Sequence, residues 1–263
     1  MQFEILIKIF VFVMGSLVGS FLNVCICRLP KGESVVMPPS HCPVCKKNIM
    51  WYDNIPLVSY FALGGKCRSC KTKISFRYFM IELLTALLAL LLYSYFGLSA
   101  KFFAYSILTG ALIVSTFVDF EIQEIPDEVS LGSIAAGLVL SIIFPSIVGS
   151  TSRLGGLFGS FIGVLVGGGS IYLMGAFGKA VFRKEAMGGG DVKLMAGIGA
   201  FLGWKLVLLT FFMAPFFGGV IGVIQKMKDG RETIPYGPYL SLAALVAMIY
   251  GDKILRFFLY GFY

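Results

Sequence analysis

The sequence predicts an all-α polytopic membrane protein of about eight transmembrane helices, with a small zinc-ribbon-like loop domain on the cytoplasmic side. Three observations predict it. Apolar residues make up 57% of the chain and charged residues 14%, a balance foreign to a soluble domain. Apolar stretches long enough to cross about 30 Å of hydrocarbon recur along the chain. Between the first two lies the one sizeable polar segment, residues 28–77, which carries two Cys-x-x-Cys pairs.

The first apolar stretch, 3–25, shares with secretory signal peptides its apolar run and its small residues at Gly15-Ser16 and Gly19-Ser20. Its length and the basic loop that follows favour a retained membrane helix. Further spans are expected at 79–96, 102–118, 129–147, 157–180, 194–224 and 238–249. The stretch 194–224 contains Gly203-Trp204-Lys205 and Pro215, so it reads as two short or kinked spans. Small residues at helical spacing, Gly15 with Gly19 and Gly159 with Gly163 and Gly167, point to close helix packing.

Orientation follows from charge. Segment 28–77 holds nine Lys or Arg against Glu33 and Asp53, which places it in the cytoplasm. Counting crossings then returns the chain to the cytoplasm at 119–128, at 183–193 and at the loop 225–236. In that last loop Lys226, Lys228 and Arg231 are offset by Asp229 and Glu232. The net charge of +8 reports this topology and contact with anionic membrane lipids, not nucleic acid. Three regions result: a first transmembrane helix at 1–27, a tetracysteine domain at 28–77, and a transmembrane core at 78–263.

Cys42-Pro-Val-Cys45 and Cys67-Arg-Ser-Cys70 have the spacing of two metal knuckles. Four thiolates would complete a tetrahedral Zn2+ shell with no position left for substrate, so the metal is structural, stapling a loop with too little core of its own. Nearby Lys46, Lys47, Lys66, Arg68 and Lys71 favour the thiolate form. A disulfide pair is the alternative, and the reducing side of the membrane weighs against it. Cys25 and Cys27, at the end of the first span, read as small buried apolar residues. The sole histidine, His41, adjoins the first knuckle and reads as a neighbour of the metal shell, which leaves Ser- or Cys-protease chemistry without a base.

Asp119 and Asp191 each stand where an apolar segment meets a short polar loop. A carboxylate at such a depth is costly enough to imply a function. Two acids that meet repel as anions, and one is driven to keep its proton, so a single site then holds a base and an acid. That pair can activate a water against a peptide carbonyl and protonate the departing amine. Asp119 follows Ile113 to Val118 and meets the unfavourable negative end of its helix dipole. Asp191 follows Gly188, Gly189 and Gly190, whose missing side chains would let an extended substrate approach. Three supporting residues are weaker candidates. Asp127, after Pro126, also fits a helix cap; Glu82 is expected to pair with Arg77 or Lys193; and Glu121 and Glu124 read as solvated acids that could attract a basic peptide.

Taken together, these blocks closely resemble the type IV prepilin peptidases, the GxGD-type intramembrane aspartic proteases. The resemblance runs through Gly19-Ser-Phe-Leu-Asn23, Arg28-Leu-Pro30, both cysteine pairs, Trp51-Tyr-Asp-Asn-Ile-Pro56, Arg77-Tyr78 and Glu82-Leu-Leu-Thr85. It continues through Asp119, Ile125-Pro-Asp127, Gly188-Gly-Gly-Asp191-Val-Lys193 and Ile234-Pro-Tyr-Gly-Pro238. It implies a multi-pass enzyme of the bacterial inner membrane with its active site toward the cytoplasm. Such an enzyme cuts the short basic leader from prepilins or type II secretion pseudopilins, after a glycine and usually before phenylalanine. It then methylates the new amino terminus with S-adenosylmethionine. Asp119 and Asp191 match the catalytic aspartates, and the tetracysteine loop resembles the zinc-binding insertion often associated with methyl transfer. Tyr236 stands where many relatives have phenylalanine. No Gly-rich dinucleotide fingerprint marks the methyl-donor site. Two readings compete from the residues alone. A proton-coupled transporter with a zinc-binding sensor loop would place acids along a path across the membrane, whereas these cluster on one face. A zinc-ribbon scaffold would leave Asp119 and Asp191 without employment.

Overall fold

The computed structural model describes residues 2–182, 187–229 and 235–260. Its regular elements are helices: α1 (Gln2–Arg28), the short α2 (Val58–Ala62), α3 (Phe76–Phe96), α4 (Ala100–Ile122), α5 (Asp127–Ile143), α6 (Arg153–Phe182), α7 (Gly189–Asp229) and α8 (Gly237–Tyr260). Five of them are long and apolar enough to cross a membrane, over Gln2–Lys31, Phe76–Phe96, Ala100–Ile122, Arg153–Val181 and Gly189–Gly219. That is fewer than the eight spans expected, for a visible reason. The helix α5 has only 17 residues, and α8 carries Asp252, Lys253 and Arg256 in its second half. Between Leu194 and Ile224 a single long helix replaces two spans. Pro215 is accommodated within it, and its break falls at Gly203, whose φ of 73° and ψ of 173° leave the helical region. The helix continues to Asp229, so Lys226 and Lys228 are helical and not in a loop. Residues 183–186 and 230–234, which include Arg183, Arg231 and Glu232 of the expected cytoplasmic loops, lie outside the described residues.

Two compact units divide the chain, Met1–Gly97 and Leu98–Tyr263. In the first, α1 packs on α3 through its glycines. A Cβ on Gly15 would lie 2.8 Å from the Ala86 Cα, and one on Gly19 would lie 2.7 Å from the Glu82 Cα, so only hydrogen fits at this crossing. The small-residue spacing in the sequence is thus a packing seam. Between these helices, residues 29–75 form the cysteine module. It is tied to α3 by the rings of Tyr60, Phe61, Phe76 and Phe79, whose centroids are 5.1 to 6.0 Å apart.

In the second unit, α6 and α7 make the closest helix pair. A Cβ on either Gly163 or Gly199 would overlap the carbonyl of the other, and the Ser160 hydroxyl donates to the Ala200 carbonyl at 2.7 Å. Behind this seam Leu194, Met195, Ile198 and Phe201 are fully buried, which fixes the first turns of α7 against α5 and α6. Large apolar side chains cover the outer faces instead, such as Phe10 on α1 and Phe158 and Leu165 on α6. A surface of this kind is stable against lipid tails and costly against water.

Candidate active site and metal centre

Each cysteine knuckle builds itself from local backbone geometry. Cys42 N–H donates to the Lys47 carbonyl at 3.0 Å and Lys46 N–H to the Cys42 carbonyl at 2.9 Å; the second knuckle repeats this with Cys67 to Thr72 at 2.8 Å and Lys71 to Cys67 at 3.0 Å. Lys46 and Lys71 occupy the same left-handed position, with φ of 58° and 60°. The two loops are therefore copies of one turn, each pointing a pair of sulfurs to a common centre. All four sulfurs lie within 4.8 Å of one another, and none is in a disulfide. Cys42 and Cys70 Sγ are 3.8 Å apart, the edge of a tetrahedron whose centre is about 2.3 Å from each sulfur. The donor set fits a metal ion of that coordination. The Thr72 hydroxyl, 3.3 Å from Cys70 Sγ, and its backbone N–H draw the Cys70 thiol down to about 6, toward the ligating form. Arg68 closes the module with two hydrogen bonds to Asp53, at 2.7 and 2.6 Å. His41 stands outside the sulfur cluster, its Nδ1 3.2 Å from the Pro39 carbonyl.

The two aspartates are brought together by three loops of the second unit. Asp119 lies in the last turn of α4 and is 5% exposed. The helix ends there because Gln123 adopts a left-handed conformation, its N–H returning to the Asp119 carbonyl at 3.0 Å. The Asp119 Oδ2 accepts the backbone N–H of Gly237 at 2.9 Å, across 118 residues of chain. A Cβ on Gly237 would come within 2.8 Å of that oxygen, so glycine is what lets the main chain donate here. Asp191 sits in the first turn of α7, and its Oδ2 accepts the Gly188 N–H at 3.2 Å. This is the backward half of a capping box. Gly189 and Gly190 are accordingly helical from the start, and the triple glycine is a helix entry more than an open loop. Gly190 serves approach: a Cβ there would lie 3.1 Å from the Ile125 Cβ, which seats the α7 entry on the segment that follows Asp119. The carboxylates of Asp119 and Asp191 are within electrostatic reach of each other.

The supporting residues fall elsewhere. Asp127 does not cap α5 with its side chain; Pro126 is the N-cap residue, and Asp127 in the first turn pairs with Lys193 at 2.6 Å. That bridge ties the start of α5 to the start of α7. In the first unit Glu82 accepts the Leu57 N–H at 2.8 Å instead of pairing with Lys193. Glu121 and Glu124 are exposed, as the sequence implies. Two residues of the site escape sequence reasoning. One is Gly237, whose main chain holds Asp119. The other is Tyr236, whose buried hydroxyl has no hydrogen-bond partner among the described residues. Burial, with the nearby Asp191 charge added, pushes its phenol up to about 12. The only signal for both was the Pro235-Tyr-Gly-Pro238 block itself.

Comparison with known proteins decides the family. Residues 13–96 match the model of the bacterial peptidase A24 N-terminal domain, and residues 106–223 match that of the type IV leader peptidase family. The chain belongs to the type IV leader peptidase family. Within it, the chain is 37% identical to the prepilin leader peptidase/N-methyltransferase of Pseudomonas aeruginosa, over 94% of this chain and 91% of that one. It is 38% identical to the Myxococcus xanthus protein of the same name, over 86% and 65%, and 35% identical to that of Neisseria gonorrhoeae, over 93% and 91%. No solved structure matches the chain. The first family model coincides closely with the compact unit that holds the metal centre, and the second falls within the unit that holds the aspartates.

Proposed function

We propose that this leader peptidase cleaves the short basic leader from type IV prepilins or type II secretion pseudopilins at the cytoplasmic face of a bacterial inner membrane, and then N-methylates the new terminus. The observation that carries the peptidase reading is the buried Asp119, held by the Gly237 N–H within electrostatic reach of Asp191. Two carboxyls so placed share one proton. The ionised one takes a proton from a water as the water oxygen bonds to the scissile carbonyl carbon, while the protonated one donates to the carbonyl oxygen. Collapse of that adduct breaks the C–N bond, with a proton delivered to the departing amine. Asp127 and Lys193 position the entry of α7 and take no proton. The open side of Gly189, where a Cβ would meet nothing within 4 Å, is the face past which an extended substrate would run.

In this reading residues 28–77 are a zinc module held by Cys42, Cys45, Cys67 and Cys70, and residues 78–263 carry the peptidase. The shorter or more charged α5 and α8 would complete the membrane bundle beside the five long apolar helices. S-adenosylmethionine supplies a methyl group on a cationic sulfur; transfer to the amine breaks a C–S bond, forms an N–C bond, returns the electron pair to sulfur and releases one amine proton. Family membership leaves the transporter and scaffold readings without support.

The test is mass spectrometry of a basic-leader prepilin peptide incubated in detergent with the purified protein, with and without S-adenosylmethionine. Cleavage after the leader glycine that vanishes in Asp119→Asn and in Asp191→Asn is expected, with one added methyl group when the donor is present. Cleavage that survives either substitution would remove that aspartate from the mechanism.

A further inference from the structure

We propose that the methyl donor binds in a cavity of the N-terminal unit, between the outward face of α1 and the loop that leads into the first cysteine knuckle. The inference rests on the methyltransferase reading above and gives it a place. The cavity measures about 310 Å³, at the lower end of the range of small-molecule sites. Its walls are apolar and partly planar, from Phe21 on α1 and from Val36, Pro38 and Pro39 on the loop. These suit the flat faces of a nucleoside.

The polar groups are arranged by sign. Arg28 lines one end; it is 8% exposed and donates to the Ser34 carbonyl at 2.9 Å and the Pro39 carbonyl at 3.4 Å. Two hydrogen bonds hold the guanidinium still and leave further N–H donors of its five for an anion. The other end, at Ser20 and Pro56, is backed by acceptors. Ser20 hydrogen-bonds Glu82, whose Oε2 takes the N–H of Leu57, the residue after Pro56. No cation pairs with Glu82 among the described residues. One turn along α1, the Asn23 amide nitrogen donates to the Gly19 and Tyr78 carbonyls, while its Oδ1 is buried without a partner. Buried acceptors of this kind are normally satisfied, so the seam calls for a donor or cation that the protein does not supply.

A second strained feature lies at the same end. Leu57 has a φ of 63° and ψ of −48°, with Val58 N–H returning to the Pro56 carbonyl at 2.7 Å. This γ-turn is rare in a residue with a side chain, and the Glu82 carboxylate clamps its amide. The fixed cation and the cation-seeking end together define a ligand with a carboxylate, a positive centre and a planar body. S-adenosylmethionine has all three.

The experiment uses the full-length, metal-loaded protein in detergent. Binding of S-adenosylhomocysteine is measured by calorimetry, and radiolabelled S-adenosylmethionine is photo-crosslinked and mapped by peptide sequencing. Label is expected within residues 17–56. Val36→Trp, which fills the cavity from an exposed position and so leaves the core untouched, should weaken binding at least tenfold at unchanged metal content, and Glu82→Gln should weaken it as well. If the wild type methylates a prepilin peptide while the label maps outside 17–56, or while Val36→Trp binds as the wild type does, the location is wrong and the methyltransferase reading stands. If the wild type neither binds the analogue nor methylates, both fall together.

Discussion

Gly237 shows how much of this site depends on an atom that is not there. Its N–H reaches Asp119 at 2.9 Å because no side chain intervenes, and a Cβ would stand 2.8 Å from the same carboxylate oxygen. Gly237→Ala therefore displaces Asp119 while leaving both aspartates in the chain. A displacement of that size at a reacting group costs on the order of 10²-fold in rate. The expected result is a loss of cleavage of that order with little change in helix content, read by circular dichroism beside the peptide assay. Near-wild-type cleavage would show that Asp119 does not need this hydrogen bond. The candidate aspartates themselves were legible in sequence, because an acid at the end of an apolar run is conspicuous on energetic grounds alone. Gly237 was not, since its role arises from a contact across 118 residues that no local pattern announces. Glu82 and Asp127 were half legible for the same reason. Their burial or exposure follows from their place on a helix, but their partners, Leu57 and Lys193, depend on how separate elements meet.

At the level of elements, local chemistry was the most readable. A Cys-x-x-Cys followed by a left-handed residue is a complete knuckle within six residues, and the two knuckles duplicate one another bond for bond. The helices were legible as apolar segments, with less certain ends. α7 runs through Pro215 and breaks at Gly203, because the fully packed face around Met195 and Phe201 holds the helix on both sides of the break. The module between α1 and α3 has little apolar core beyond the rings of Tyr60, Phe61, Phe76 and Phe79. Its order should therefore depend on metal, since binding energy at such a site is folding energy. Stripping the protein with a chelator, or Cys42→Ser, is expected to release the bound zinc and to make segment 29–75 the first target of limited proteolysis. Methyl transfer should then fall further than cleavage. Equal loss of both activities would make the module a general folding element, and unchanged proteolysis would mean that the aromatic cluster suffices.

For the whole molecule, the division of the chain into two compact units sets what can be separated. The metal centre and its cavity belong to residues 1–97, and the aspartates belong to residues 98–263. Titration of the peptidase should therefore report the second unit alone. Asp119 and Asp191 lie within electrostatic reach of each other. A pair that close loses its two protons in separate macroscopic steps that belong to both residues jointly. Cleavage requires the state with one proton. At low pH both carboxyls are protonated and no base is present; at high pH both are ionised and no acid remains. As pH rises, kcat/KM should climb through the first step and decline through the second, giving a bell. The same profile should appear with metal-depleted protein, at lower amplitude if the module aids folding, because no ligand of the metal centre takes part in the proton exchange. Measured on a prepilin peptide in detergent, a profile that only rises or only falls would mean that the two aspartates do not share a proton, and would leave one of them without a chemical role.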